Sequence, residues 1–212
     1  MKNKQDTHTQ AELLTHYAEK KSSIQRRLEE FSKIPSSEYF YELVYCLLTP
    51  QSSAENASKA VELLKQHDFF ERSIDPTPLL RQRESYIRFH ETKGKNLIKI
   101  KKQFPLIAGR LLDGTPSRLL REWLVKNVRG MGHKEASHFL RNIGHRGLAI
   151  LDRHILKNLV RYSVLRSLPK PLTRNRYFTI EEKFARFSER LGIPMDELDL
   201  LFWSMETGKI LK

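Results

Sequence analysis

The sequence has a single cysteine, Cys46, so the chain cannot close an internal disulfide or supply a four-cysteine zinc or iron–sulfur site. A reducing, intracellular setting is the simplest expectation. No apolar run approaches the roughly 18 residues of a membrane span, and the polar start Met1-Lys2-Asn3-Lys4-Gln5-Asp6 lacks an apolar signal core. A soluble protein is expected. Acidic residues are also scarce: 25 stand against 38 lysines and arginines, a net charge of +13 in 212 residues. A polyanionic partner, nucleic acid first, follows as an expectation, although charge alone does not separate nucleic acid from an anionic membrane or from plain solubility. With 39% hydrophobic residues and no low-complexity tract, disorder and fibrous repeats are excluded.

Strand-like alternation is missing as well, whereas nearly every apolar stretch repeats at helical spacing. The pattern predicts an all-α fold with helices over 10–31, 37–48, 53–66, 77–82, 85–90, 94–103, 105–112, 117–127, 133–143, 153–166, 176–191 and 195–206. Tyr39 through Leu48 is apolar almost all round, interrupted by Glu42, and reads as a buried central helix that holds Cys46 inertly. No linker is long enough to separate independent domains. The expectation is two helical lobes with a central cleft, residues 32–146 forming one and residues 1–31 with 147–212 the other.

Thr115-Pro116 opens helix 117–127, which places Leu119, Leu120, Trp123 and Leu124 on one face. The chain then turns through Val128-Arg129-Gly130-Met131-Gly132, after which Ala136, Phe139, Leu140 and Ile143 begin a second stripe. Two glycines around one apolar residue permit positive φ and let the N–H groups of the following helix approach a phosphate. Arg129, His133 and Lys134 add positive charge. The plainer reading is an αα-corner plugged by Met131, with the glycines only turning the chain.

Val128-Arg129-Gly130-Met131-Gly132-His133-Lys134-Glu135-Ala136, followed by Ile150-Leu151-Asp152-Arg153-His154-Ile155, resembles the helix-hairpin-helix DNA glycosylase superfamily. Leu47-Leu48-Thr49-Pro50-Gln51-Ser52-Ser53 is similar to that superfamily's leucine-leucine-serine-x-glutamine turn. The cysteine cluster of the endonuclease III branch is absent. Lys134 to Asn142, Leu151 to Ile155 and the ending Glu206-Thr207-Gly208-Lys209-Ile210-Leu211-Lys212 resemble the type-2 8-oxoguanine glycosylases of prokaryotes, a likeness running from about residue 36 to the end.

The resemblance implies catalytic roles for Lys134 as nucleophile and for Asp152 as the second essential group. It also implies that Gln51 enters the DNA stack, that Trp203 and Phe89 sandwich the extruded base, and that Lys212 helps recognise it. Arg129, Gly130, Gly132 and His133 would contact the DNA backbone. No organic cofactor and no transition metal are implied, though the hairpin carbonyls could hold a monovalent cation, as in relatives. The implied partner is double-stranded DNA with a damaged base, met by a monomer in the cytoplasm at prokaryotic chromosomal DNA.

The chemistry suits these residue types. N-glycosidic cleavage gives an oxocarbenium-like sugar, which calls for a nucleophile at C1′ and a nearby negative charge. An amine nucleophile leaves an imine, so lyase activity follows from a lysine at this place. A helix N-terminus and Arg129 disfavour the ammonium and are expected to lower the lysine's pKa. Each residue has a plainer alternative: Lys134 a phosphate contact, Asp152 an N-cap for the stripe Ile155, Leu156, Leu159 and Val160, and Gln51 a surface helix cap. Trp203 lies about 140° around the last helix from Leu198, off the stripe of Leu198, Leu201, Phe202 and Met205 and toward Asp199 and Glu206. Its alternative is an indole covered by another helix, and His90 competes with Phe89 for the pocket.

The stretch Lys93, Lys95, Lys99, Lys101 and Lys102 reads as the solvent face of an amphipathic helix. The eight histidines show no metal-ligand spacing; His133 and His138 are five apart rather than i, i+4. Two rivals remain: a helix-hairpin-helix DNA-binding module without catalysis, and a glycosylase of the same fold for another lesion.

Overall fold

The computed structural model describes residues 4–210, the side chains of residues 4–9 excepted. Among them are ten α-helices and two short 3-10 turns, with no strand. The helices are α1 (Lys4–Ser32), α2 (Tyr39–Leu48), α3 (Ala54–Gln66), α4 (Thr77–Leu80), α5 (His90–Leu112), α6 (Ser117–Asn127), α7 (His133–Asn142), α8 (Arg153–Arg161), α9 (Arg174–Leu191) and α10 (Met195–Thr207). None is long and apolar enough to cross a membrane. The chain divides into two compact units, Ile34–Ile143 and Met1–Lys33 with Gly144–Lys212.

In Ile34–Ile143, α2 is the central helix. Its side chains from Leu43 to Leu48 are all buried, and Cys46 is fully enclosed. Glu42, the one charge in this helix, is buried too and accepts from Asn142 Nδ2 of α7 at 3.1 Å. A buried carboxylate needs such a partner. Phe40 meets Phe69, Phe70 and Phe104 with ring centroids 6.0, 4.5 and 5.2 Å away, which joins α2 to α5 and to the loop after α3.

The expected break between helices 94–103 and 105–112 is absent: α5 runs through Pro105. Proline removes one intrahelical N–H, yet Phe104, Ile107 and Leu111 are buried around it, so tertiary packing holds the helix together. The expected helix 85–90 is also absent; a 3-10 turn over Arg83–Ser85 leads into Phe89 with φ 62°. Leu119, expected on the buried face of α6, is 62% exposed.

The second unit is built on α1, α8, α9 and α10. Tyr162, Phe184 and Phe202 stack nearly parallel, with Tyr162–Phe202 at 5.5 Å and Phe184–Phe202 at 6.0 Å. Glu197 of α10 receives the Tyr17 hydroxyl of α1 at 2.5 Å. Burial and that carboxylate push the Tyr17 phenol far above its ordinary value. The predicted helix 153–166 stops at Arg161, because Ser163 adopts φ 58° and the N–H groups of Val164 and Leu165 turn back to Leu159 O.

Candidate active site and nucleic-acid interface

The hairpin between α6 and α7 explains its own glycines. Gly130 has φ 86°, a conformation that a Cβ disfavours, and a Cβ there would also stand 3.2 Å from Asn96 Nδ2. At Gly132 an added Cβ would come within 2.8 Å of Glu135 Oε2. That carboxylate is there for a reason: Oε2 accepts from the Gly132 N–H at 3.1 Å and so caps the start of α7. Met131 between the glycines is buried, as the corner reading requires.

Lys134 is the second residue of α7, half-buried, with Nζ 3.0 Å from Glu135 Oε1. Glu135 thus serves the hairpin with one oxygen and the lysine with the other. In the sequence the positive neighbours of Lys134 conceal this carboxylate, although its position three residues after an N-cap is a recognised capping signal. His133 is engaged sideways, Nε2 lying 2.8 Å from Glu122 Oε1 of α6, so it joins the two helices of the motif. Arg129 and Gly130 are exposed.

Gln51 and Phe89 belong to the same unit as the hairpin. Gln51 is exposed at φ 58°, and Phe89 is 51% exposed at φ 62°. Phe89, Leu47, Pro50, Lys93, Asn96 and Arg129 line a pocket of about 290 Å³. His90 is a poorer candidate: its side chain is 17% exposed, and its ring meets Tyr86 edge-on at 5.5 Å.

Two lysines of the expected solvent face turn inward instead. Lys93 Nζ donates to Leu48 O and Pro50 O, both at 2.7 Å, and Lys101 Nζ donates to Phe69 O at 2.6 Å and Arg72 O at 2.5 Å. Burial, aided by the charge of Lys134, lowers the Lys93 ammonium to about 8 against the opposing pull of Glu135. Lys95, Lys99 and Lys102 do face solvent.

In the other unit Asp152 is the N-cap of α8, its Oδ1 accepting from the N–H groups of His154 and Ile155 at 2.8 Å each. The His154 imidazole meets Trp203 edge-on at 6.4 Å and lies 3.9 Å from Glu206. Glu206 also holds Lys157 at 2.6 Å, and that hydrogen bond keeps its carboxyl below the ordinary range. Trp203 is half-buried, between the fully buried Phe202 and Ser204. Asp199, expected on an open side with it, is buried, so that side of α10 is covered in part. Lys212 lies outside the described residues.

Helical units that carry a Gly-Met-Gly hairpin between two helices, with a lysine in the first turn beyond it, define a protein of the helix-hairpin-helix class. Residues 24–193 match the Ogg-HhH family, described as 8-oxoguanine DNA glycosylase, and the chain belongs to this family. It is 43% identical over 190 residues to the 8-oxoguanine DNA glycosylase/AP lyase of Korarchaeum cryptofilum, covering 89% of this chain and 90% of that protein. The 8-oxoguanine DNA glycosylase/AP lyase of Fusobacterium nucleatum is 41% identical over 206 residues, with 92% and 94% covered. Among solved structures, the Methanocaldococcus jannaschii 8-oxoguanine DNA glycosylase superposes with a TM-score of 0.85 at 30% identity over 99% of this chain and 100% of that one. The M. jannaschii glycosylase/lyase in complex with 15mer DNA containing 8-oxoguanine gives 0.84 at 31% identity, covering 94% and 99%.

Proposed function

We propose that this chain is a bifunctional DNA glycosylase and AP lyase that removes 8-oxoguanine from double-stranded DNA. The observation that carries the reading is the placement of Lys134 in the first turn of α7, directly beyond the hairpin. Names borne by relatives at 41–43% identity support the same activity.

In this reading the neutral amine of Lys134 bonds to C1′ while the glycosidic bond breaks, and its electron pair leaves on the base, which takes up a proton. The ammonium formed on C1′ gives up a proton, and the freed lone pair of the nitrogen expels the ring oxygen, which takes up a proton and leaves as the C4′ hydroxyl, giving a protonated imine. The imine acidifies C2′, a C2′ proton is lost, and the 3′ phosphate departs by β-elimination. Asp152, oriented by the two N–H groups on Oδ1, supplies negative charge to the cationic sugar. Trp203 and Phe89 are assigned to stacking on the extruded base, Lys212 to its recognition and Gln51 to the gap left in the stack. Arg129, the Gly130 N–H and His133 are assigned to DNA phosphates, whereas the Gly132 N–H is taken by Glu135. The enzyme acts as a monomer at the chromosomal DNA of a prokaryotic cytoplasm.

The test is release of free 8-oxoguanine from a duplex carrying one such base, set beside duplexes with an oxidised pyrimidine or a mismatch. Preferential release of 8-oxoguanine with strand scission supports the proposal. Release from another duplex alone would reassign the lesion, and release from none would leave a DNA-binding module.

A further inference from the structure

Four non-glycine residues with positive φ occur among the described residues, and two of them are exposed side chains assigned above to DNA: Gln51 to the gap in the stack and Phe89 to the extruded base. A Cβ disfavours that conformation, so it persists where surrounding contacts impose it. Here those contacts converge. Lys93 Nζ reaches Leu48 O and Pro50 O, the carbonyls on either side of Thr49 and immediately before Gln51. Leu48 ends α2, where a helix leaves carbonyls without an internal partner. Lys93 itself stands in the first turn of α5, and its N–H donates to Phe89 O at 2.9 Å. Two further bonds reach the segment before α5: Arg88 N–H donates to Ser52 Oγ, and Asn56 Nδ2 in the first turn of α3 donates to Tyr86 O, each at 3.0 Å.

We infer that Lys93 is a positioning residue for base extrusion: its Nζ ties the turn that carries Gln51 to the helix start that carries Phe89, so that Gln51 meets the gap in the stack and Phe89 the extruded base in one register. The inference rests on the glycosylase reading above. The groups facing Lys93 are Lys134 and Glu135 from α7 and Arg129 from the hairpin, which place it beside the proposed nucleophile as well.

The molecule carries its own control. Lys101, two turns along the same helix, holds two carbonyls in the same manner, but on the loop containing Phe69 and Arg72, which bears no residue assigned to DNA. A purely structural lysine staple and a positioning one are therefore separable within one protein.

The experiment compares wild type, Lys93→Met, Lys93→Arg and Lys101→Met in three measurements. These are excision from an 8-oxoguanine duplex, borohydride trapping on a duplex with a preformed abasic site, and the fluorescence rise of a 2-aminopurine beside the lesion, which reports extrusion. Lys93→Met is expected to lose about tenfold in excision together with the fluorescence rise, while trapping on abasic DNA stays within about twofold. Lys93→Arg, which has donors for both carbonyls, recovers most of the loss. Lys101→Met keeps excision, trapping and fluorescence. Equal losses of excision and trapping in Lys93→Met, no loss of either, or the same pattern in Lys101→Met overturns the inference. Should Lys93→Met not fold, Ser52→Ala removes a neighbouring tie and is expected to show the same split with a smaller loss; an unchanged Ser52→Ala then counts against the inference. A wild type without excision of 8-oxoguanine fails the glycosylase reading itself, which is distinct from failure of the tie.

Discussion

Asp152 and Trp203 are joined through one residue. The N–H of His154 donates to Asp152 Oδ1 at 2.8 Å, while its imidazole meets the Trp203 indole edge-on at 6.4 Å. Asn158 Nδ2 donates to His154 O at 2.9 Å, and Glu206 lies beside the ring. The start of α8 and the end of α10 therefore present a carboxylate and an indole in a fixed relation.

Capping and charge at Asp152 are separable. Asparagine is as good an N-cap as aspartate, so Asp152→Asn keeps the stability of α8 to within about 0.5 kcal/mol, whereas Asp152→Ala loses about 1 kcal/mol. If the carboxylate supplies charge to the sugar, Asp152→Asn also loses about 100-fold or more in excision. Thermal melts read beside single-turnover excision check the pair of outcomes. An active Asp152→Asn would reduce Asp152 to a cap.

Glu135 has two tasks on two oxygens, the Gly132 N–H at 3.1 Å and Lys134 Nζ at 3.0 Å. Glu135→Gln keeps an acceptor for the cap and removes the charge that pairs with Lys134 Nζ. Trapping on abasic DNA is expected to become about threefold faster, because the amine is no longer held in an ion pair, with the melting temperature little changed. Glu135→Ala loses the cap as well, at about 1 kcal/mol. Slower trapping in Glu135→Gln would mean that the carboxylate assists the lysine instead.

Lys93 predicts a pH dependence of stability. Its ammonium lies at about 8 in the folded chain against 10.5 ordinarily, with burial as the main cause. Between those values the unfolded chain binds more protons, so stability rises with pH through this window. Below it the cost of burying the charge is fully present; above it that cost is gone. Wild type should therefore gain melting temperature relative to Lys93→Met as pH is raised from about 8 toward 10. Equal pH slopes for the two proteins would contradict this.

Much of the fold was legible because buried positions recur at helical spacing: α2, α3, α6, α7, α9 and α10 lie within two residues of their predicted bounds. The errors share a cause in tertiary contacts. Pro105 looks like a breaker from neighbouring residues alone, yet Phe104 and Ile107 are buried on either side of it. Lys93 and Lys101 fit a solvent stripe by periodicity, but the carbonyls they bind lie more than twenty residues earlier in the chain. At the site, the Gly130–Gly132 hairpin and the cap at Asp152 follow from local chemistry and could be read directly. The left-handed backbone of Gln51 and Phe89 could not, since neither residue type announces positive φ and the bonds that impose it join separate segments.

The most direct test of the central claim is borohydride trapping of wild type and Lys134→Gln on an 8-oxoguanine duplex and on an abasic duplex. The account predicts a covalent protein–DNA adduct with wild type on both duplexes and none with Lys134→Gln on either. An adduct that persists in Lys134→Gln would show that another amine forms the imine, and the assignment of Lys134 as nucleophile would be wrong.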